Sequence, residues 1–284
     1  MCRQVPQRDL PGTGRRQAAQ TANHEEQGNL MRPPRMSSVI ERRLLVNYRI
    51  DPEAAARLVP RPMRPQLVDG RAVAGICLVR LGQFRPSWLP GWVGMRTENA
   101  AHRIAVEWDG PQGLSTGVYI PRRDSGSAIN VLAGGRLFPG EHSSARFDVR
   151  ETAQDLHVAF TSRDKTVSVS VDVRTAERFQ GSELFADLAQ ASDFFRRGSA
   201  GFSPTHSGRC LDGLELHTDA WQVEPVDIHS VRSTVFDDRD RFPPGSAVLD
   251  CALLMRQVPA TWHPLPPLRV DAGSTSAGHS AHPE

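Results

Sequence analysis

Thr166-Val167-Ser168-Val169-Ser170-Val171-Asp172-Val173-Arg174 alternates apolar and polar side chains without a break. Successive side chains of an extended strand point to opposite faces, so the four valines share one face, with Ser168, Ser170 and Asp172 on the other. A helix would scatter the same valines around its circumference. The stretch reads as a strand with one buried face. Arg163-Asp164-Lys165 before it reads as a hairpin turn, and residues 156–161 as the partner strand.

Working outward, further strands are expected at 145–152, 115–120 and 102–108. Asp69-Gly70 is a hairpin signal ahead of another at 71–79, and 41–50 reads as the first strand. On the C-terminal side, 215–223, 230–236 and 248–256 are strand-like. Helices are few. Asp51-Pro52-Glu53 can start one, with Asp51 as cap and Pro52 in the first position, and Pro60 and Pro62 stop it. Residues 128–137 are a second candidate. A third is 182–195, with Leu184, Phe185, Leu188 and Phe195 on one face. The Pro-rich loop 84–92 carries Trp88 and Trp92, expected to fold over the core or to form a lid. The fold class that follows is α+β and β-rich: an antiparallel, barrel-like sheet with a few short helices.

The expected organisation is one domain over 38–268, with disordered segments at 1–37 and 269–284. Met31 and Met36 are alternative starts to Met1. A net charge of +2 in 284 residues provides no large field for nucleic acid or a membrane surface. No apolar run approaches the roughly 20 residues that span a bilayer, and no secretory leader is visible, so a cytoplasmic location is expected. Cys2, Cys77, Cys210 and Cys251 form neither a CxxC pair nor a zinc spacing. No phosphate-binding glycine loop, HExxH or GxSxG occurs, so neither metal nor cofactor is expected. The sole lysine is Lys165; every other basic side chain is arginine or histidine.

The order of short motifs resembles the YqjF-like family of the acetoacetate-decarboxylase-like superfamily. The motifs are Asp51-Pro52-Glu53-Ala54, Asp69-Gly70-Arg71-Ala72, Glu98-Asn99, Gly117-Val118-Tyr119, GGRLFPGEH at 134–142, Glu224-Pro225-Val226 and Ser230-Val231-Arg232-Ser233-Thr234. The resemblance covers about residues 40–267. It implies a sheet enclosing a pocket. Decarboxylases of the superfamily use a Pro-Lys-Lys sequence whose lysine forms a Schiff base with a keto acid. The counterpart here is Pro121-Arg122-Arg123. Arginine stays protonated and cannot supply a neutral amine, but it can hold a carboxylate through paired hydrogen bonds.

The resemblance therefore implies Arg122, Arg123 and Tyr119 as ligand-binding residues, with Glu98 and His142 as catalytic candidates. The bland alternatives stay open: turn arginines paired to Asp124, an edge glutamate, a packed histidine. The expected function is binding of a small organic acid or carbonyl metabolite without Schiff-base chemistry. The alternative is a lyase or hydrolase acting on a carbonyl compound. A homo-oligomer is compatible with either.

Overall fold

The computed structural model describes residues 34–127, 140, 142–205 and 208–270. The chain divides into two units, Met1–Arg32 and Pro33–Glu284, and every described residue belongs to the second. The candidate helix at 128–137 lies outside the described residues, as do 1–33 and 271–284 of the two terminal segments read as disordered; the remainder of those segments, 34–37 and 269–270, is described, and Met36 is buried.

The chain enters through β1 (Met36–Ile50) and turns into α1 (Pro52–Leu58). Asp51 caps that helix by accepting from the amides of Glu53 at 3.0 Å and Ala54 at 3.1 Å. Two short strands, β2 (Arg64–Pro65) and β3 (Leu67–Val68), lead to β4 (Arg71–Pro86). The β3–β4 turn takes φ 46° at Asp69 and 75° at Gly70, the double left-handed geometry that Asp-Gly favours. Then come β5 (Met95–Gly110), β6 (Gly113–Ser125), β7 (His142–Glu151), β8 (Asp155–Ser162) and β9 (Ser168–Thr175). The helix α2 (Leu188–Arg197) precedes β10 (Ala200–Pro204), β11 (Cys210–His217), β12 (Glu224–Ser233) and β13 (Ala247–Arg269).

The strands form one sheet in the order β11-β10-β6-β7-β8-β9-β12-β13-β1-β4-β5-β2, with β3 on β4. Two further pairings, β5 with β6 and β11 with β13, close it into a ring. One circuit runs β13-β1-β4-β5-β6-β10-β11 and returns to β13. The pairing is mainly antiparallel, but β6 runs parallel to both β10 and β7. The sheet is therefore mixed, and β6 forks: Val118 and Tyr119 pair with β10, and Arg123–Ser125 with β7.

Val167, Val169, Val171 and Val173 are all buried, in one core with Leu44, Val46, Ile76 and Val158. The opposite face of β1, β4, β5 and β13 carries Leu45, Val73, Cys77, Ala101 and Leu253, packed with Phe185, Ala191 and Phe195. Both faces of the central strands are thus covered.

Several sequence expectations need correction, among them the strand expected at 215–223, which is Cys210–His217. The last strand runs to Arg269, not 256. The extension contains Pro259, Pro264, Pro266 and Pro267, each lacking an N–H for the ladder. However, Pro259 is paired only with Val39 of β1, and Pro264 only with Leu214 of β11. A missing N–H on an unpartnered side breaks no ladder bond. The helix expected from 182 begins at Leu188, because Asp187 is the cap that accepts from the Gln190 amide. The Ser182 hydroxyl instead accepts from Leu184 and Phe185 and donates to Asp250 of β13, which holds that segment against the sheet. Finally, Trp88 and Trp92 are 76% and 85% exposed rather than folded over the core. Arg85 ties the loop to the Gln83 and Leu89 carbonyls from beneath, leaving the rings outside.

Candidate functional site

The circuit through β13, β1, β4, β5, β6, β10 and β11 surrounds a cavity of 80 Å³. That volume holds roughly half a dozen water-sized groups. Strand alternation decides which side chains reach it. From β1 comes Arg43, from β4 Cys77 and Val79, and from β5 Asn99, Ala101 and Arg103. On β6 the alternation is interrupted. His102 pairs with Arg122 and Ile104 with Tyr119, so β6 has one extra residue opposite Arg103. Val118 and Ile120 reach the cavity by ordinary alternation, and the bulge then brings Arg123 to it and turns Arg122 the other way.

Arg103 is 3% exposed. One of its terminal nitrogens donates to Asn47 Oδ1, and its guanidinium lies 4.7 Å from the Phe195 ring centroid. Its Nε has no partner among the described residues. Burial pulls its pKa down to about 10; the titratable groups it feels are Cys77, Arg43 and Cys251, with no carboxylate among them. Arg43 donates through Nε to the Cys77 sulfur at 3.3 Å and lies 5.7 Å from the Trp221 ring centroid. Arg123 is also buried, donates through Nε to Ser203 Oγ at 3.0 Å, and is likewise held at about 10 by desolvation. Three guanidiniums thus converge on a small space, and the one carboxylate on its wall among the described residues, Asp124, is already engaged. Arg122 binds it with two bonds of 2.9 Å. Burial raises the Asp124 pKa, and the bonds from Arg122 oppose that shift.

The structure separates the residues that the sequence grouped. Arg123 and His142 line the cavity. Arg122 does not; besides Asp124 it reaches Thr166 Oγ1 at 3.4 Å. Tyr119 is buried in the core on the other face of the sheet, and that burial pushes its hydroxyl up to about 12. Glu98 faces away from the cavity and accepts from Arg42 at 2.6 Å and Arg80 at 2.5 Å. Arg42 is 1% exposed, and burial lowers its pKa, with Glu98 the main opposing charge. In this position Glu98 neutralises a buried cation. Lys165 is exposed at the hairpin turn, with φ 58°.

Arg43, Asn47, Cys77 and Arg103 were not singled out from the sequence. A signal existed for Arg103: His102-Arg103-Ile104-Ala105-Val106 is apolar at both parities, so both faces of that strand must be covered and its arginine must be buried.

Residues 39–255 match the profile of DUF2071, described as an uncharacterized conserved protein family. No curated protein matches the chain. Solved structures share its fold at low identity. Acetoacetate decarboxylase from Legionella pneumophila is 10% identical with a TM-score of 0.50, over 84% of this chain and 87% of that one. An acetoacetate-decarboxylase-like enzyme from Sphingomonas wittichii RW1 is 12% identical with a TM-score of 0.51, over 87% and 96%. The enduracididine biosynthesis enzyme MppR, complexed with the condensation product of pyruvate and imidazole 4-carboxaldehyde, is 15% identical with a TM-score of 0.50, over 86% and 92%. The fold is acetoacetate-decarboxylase-like.

Proposed function

The chain belongs to the DUF2071 family of uncharacterized conserved proteins, and from that premise we propose that its cavity binds a small organic acid, with the carboxylate held by Arg103 and Arg43 and completed by Arg123. The observation that carries this reading is Arg103: a buried guanidinium facing a cavity, with an Nε that has no partner and no carboxylate beside it among the described residues. A buried charge is costly unless it is paired, and a bound carboxylate supplies the pairing. The cavity volume of 80 Å³ suits an acid of a few carbons. MppR, which shares the fold, is complexed with a product of pyruvate condensation, so a 2-oxo acid is the first class to test. Recognition involves no imine, since the sole lysine, Lys165, stands at an exposed turn.

The test is a thermal-shift and calorimetric screen of short mono- and dicarboxylates and 2-oxo acids. At about 100 times its dissociation constant a ligand stabilises by about 2.7 kcal/mol. Binding of an acid, lost in Arg103→Met and weakened in Arg43→Gln, is expected. Binding that survives both substitutions, or no binding by any acid, overturns the reading.

A further inference from the structure

We propose that Cys77 is a nucleophile that captures the carbonyl carbon of a 2-oxo acid seated in this cavity. The proposal rests on the organic-acid reading above and adds a covalent step to it. Cys77 lies on the cavity wall, where its sulfur accepts a hydrogen bond from Arg43 Nε at 3.3 Å. Arg103 and Arg123 line the same cavity, so three guanidiniums share its wall with one sulfur. Arg103 lines the same space and keeps a buried Nε without a partner among the described residues, the independent sign that an anion belongs there. Cys77 forms no disulfide. Cys251 is also buried but does not line the cavity, and burial pushes its thiol up to about 12.

A carboxylate held by Arg103 and Arg43 brings the carbon next to it towards the sulfur, because Arg43 touches both. The step balances without a co-reactant. The sulfur lone pair forms an S–C bond as the C=O π pair moves onto oxygen. The thiol proton is lost, and the new alkoxide takes up a proton, giving a hemithioketal. The guanidiniums offset the negative charge as it passes from sulfur to oxygen. The cation cage is already in place when the ligand enters, so no charge has to be gathered during the reaction.

The same geometry predicts an unusual alkylation preference. Iodoacetate carries a carboxylate and iodoacetamide does not; in both, S–C formation expels iodide. The full chain is treated with each, and Cys77 is followed by peptide mass spectrometry. Iodoacetate is expected to label Cys77 faster by about tenfold or more, the scale of electrostatic focusing into a charged cleft. Pyruvate should slow it, and unfolding in guanidinium or Arg43→Gln should abolish the preference. In parallel, carbon-13 spectra follow [2-¹³C]pyruvate. Its bound carbonyl signal should move to the tetrahedral region in the parent chain and remain a carbonyl in Cys77→Ser. If pyruvate binds equally to both and keeps its carbonyl signal, the nucleophile is overturned and the organic-acid reading stands. If iodoacetate shows no preference and neither pyruvate nor other short acids bind, both fall.

Discussion

Arg103 on β5 reaches over Gly75 of β4 to donate to Asn47 on β1. The three residues lie on one line across the sheet: Asn47 pairs with Gly75, and Gly75 with Arg103. The middle residue has no side chain, so the guanidinium can cross it. Asn47 is in turn held by its amide, which donates to the Leu45 carbonyl at 3.3 Å and the Cys251 sulfur at 3.6 Å. The orientation of the cavity's central cation therefore depends on a glycine in the middle of a buried strand.

Gly75→Ala should damage both stability and the site. An added Cβ would collide with the Val46 carbonyl, which is backbone and cannot swing aside. A loss of about 2 kcal/mol is expected from overpacking of this kind. The check is the urea midpoint. An unchanged midpoint would mean that β1 and β4 separate easily at this point.

His102 should make stability fall with acid. It is 3% exposed, against Phe160 and Phe236, and burial, then the charges of Arg122 and Arg241, pulls its pKa from 6.5 down to about 3. As pH drops below 6.5, the unfolded imidazole binds a proton that the folded one refuses until about 3. Protons therefore pull the equilibrium towards the unfolded chain across that window, by about 1.4 kcal/mol per pH unit. Above 6.5 neither state is protonated and the penalty vanishes. Denaturation of the parent and His102→Phe between about pH 6 and about pH 4 should show a slope shallower by roughly one proton in the variant. Equal slopes would mean that His102 is protonated in the fold.

Glu98→Gln should cost about 3 kcal/mol, because it leaves Arg42 buried without its closest counter-charge. Glu151 remains 3.5 Å from Arg42 and cannot replace the lost bond. Acid binding in the cavity should persist, since Glu98 faces away from it. Calorimetry beside thermal denaturation separates the two. Loss of binding with stability intact would return Glu98 to the site.

Acetoacetate with borohydride should leave no reduced adduct on Lys165. An imine needs an amine that is neutral part of the time and close to the bound ligand. Lys165 is exposed and is not on the cavity wall. Whole-protein mass spectrometry reads the result. A stoichiometric adduct together with carbon dioxide release would bring Schiff-base chemistry back.

Much of the architecture was legible in the residues because it depends on local patterns. The valines from 167 to 173 announce a one-faced strand, Asp51-Pro52 a helix start, and Asp69-Gly70 a hairpin, each through a rule acting within a few residues. The absence of any lysine besides Lys165 is likewise a property of the sequence, and it restricts the chemistry without reference to folding. The site was a different matter. Arg122 and Arg123 are neighbours in a strand and so face opposite sides of the sheet, but it is a bulge in β6 that decides which of them reaches the cavity. Arg43, Cys77 and Arg103 are far apart in sequence, yet three adjacent strands set them on one face. Which carboxylate finds which arginine, Glu98 with Arg42 and Asp124 with Arg122, and which arginines are left to face the cavity, depend on strand register and ring closure. Those are long-range pairings between segments, and no window of a few residues contains them.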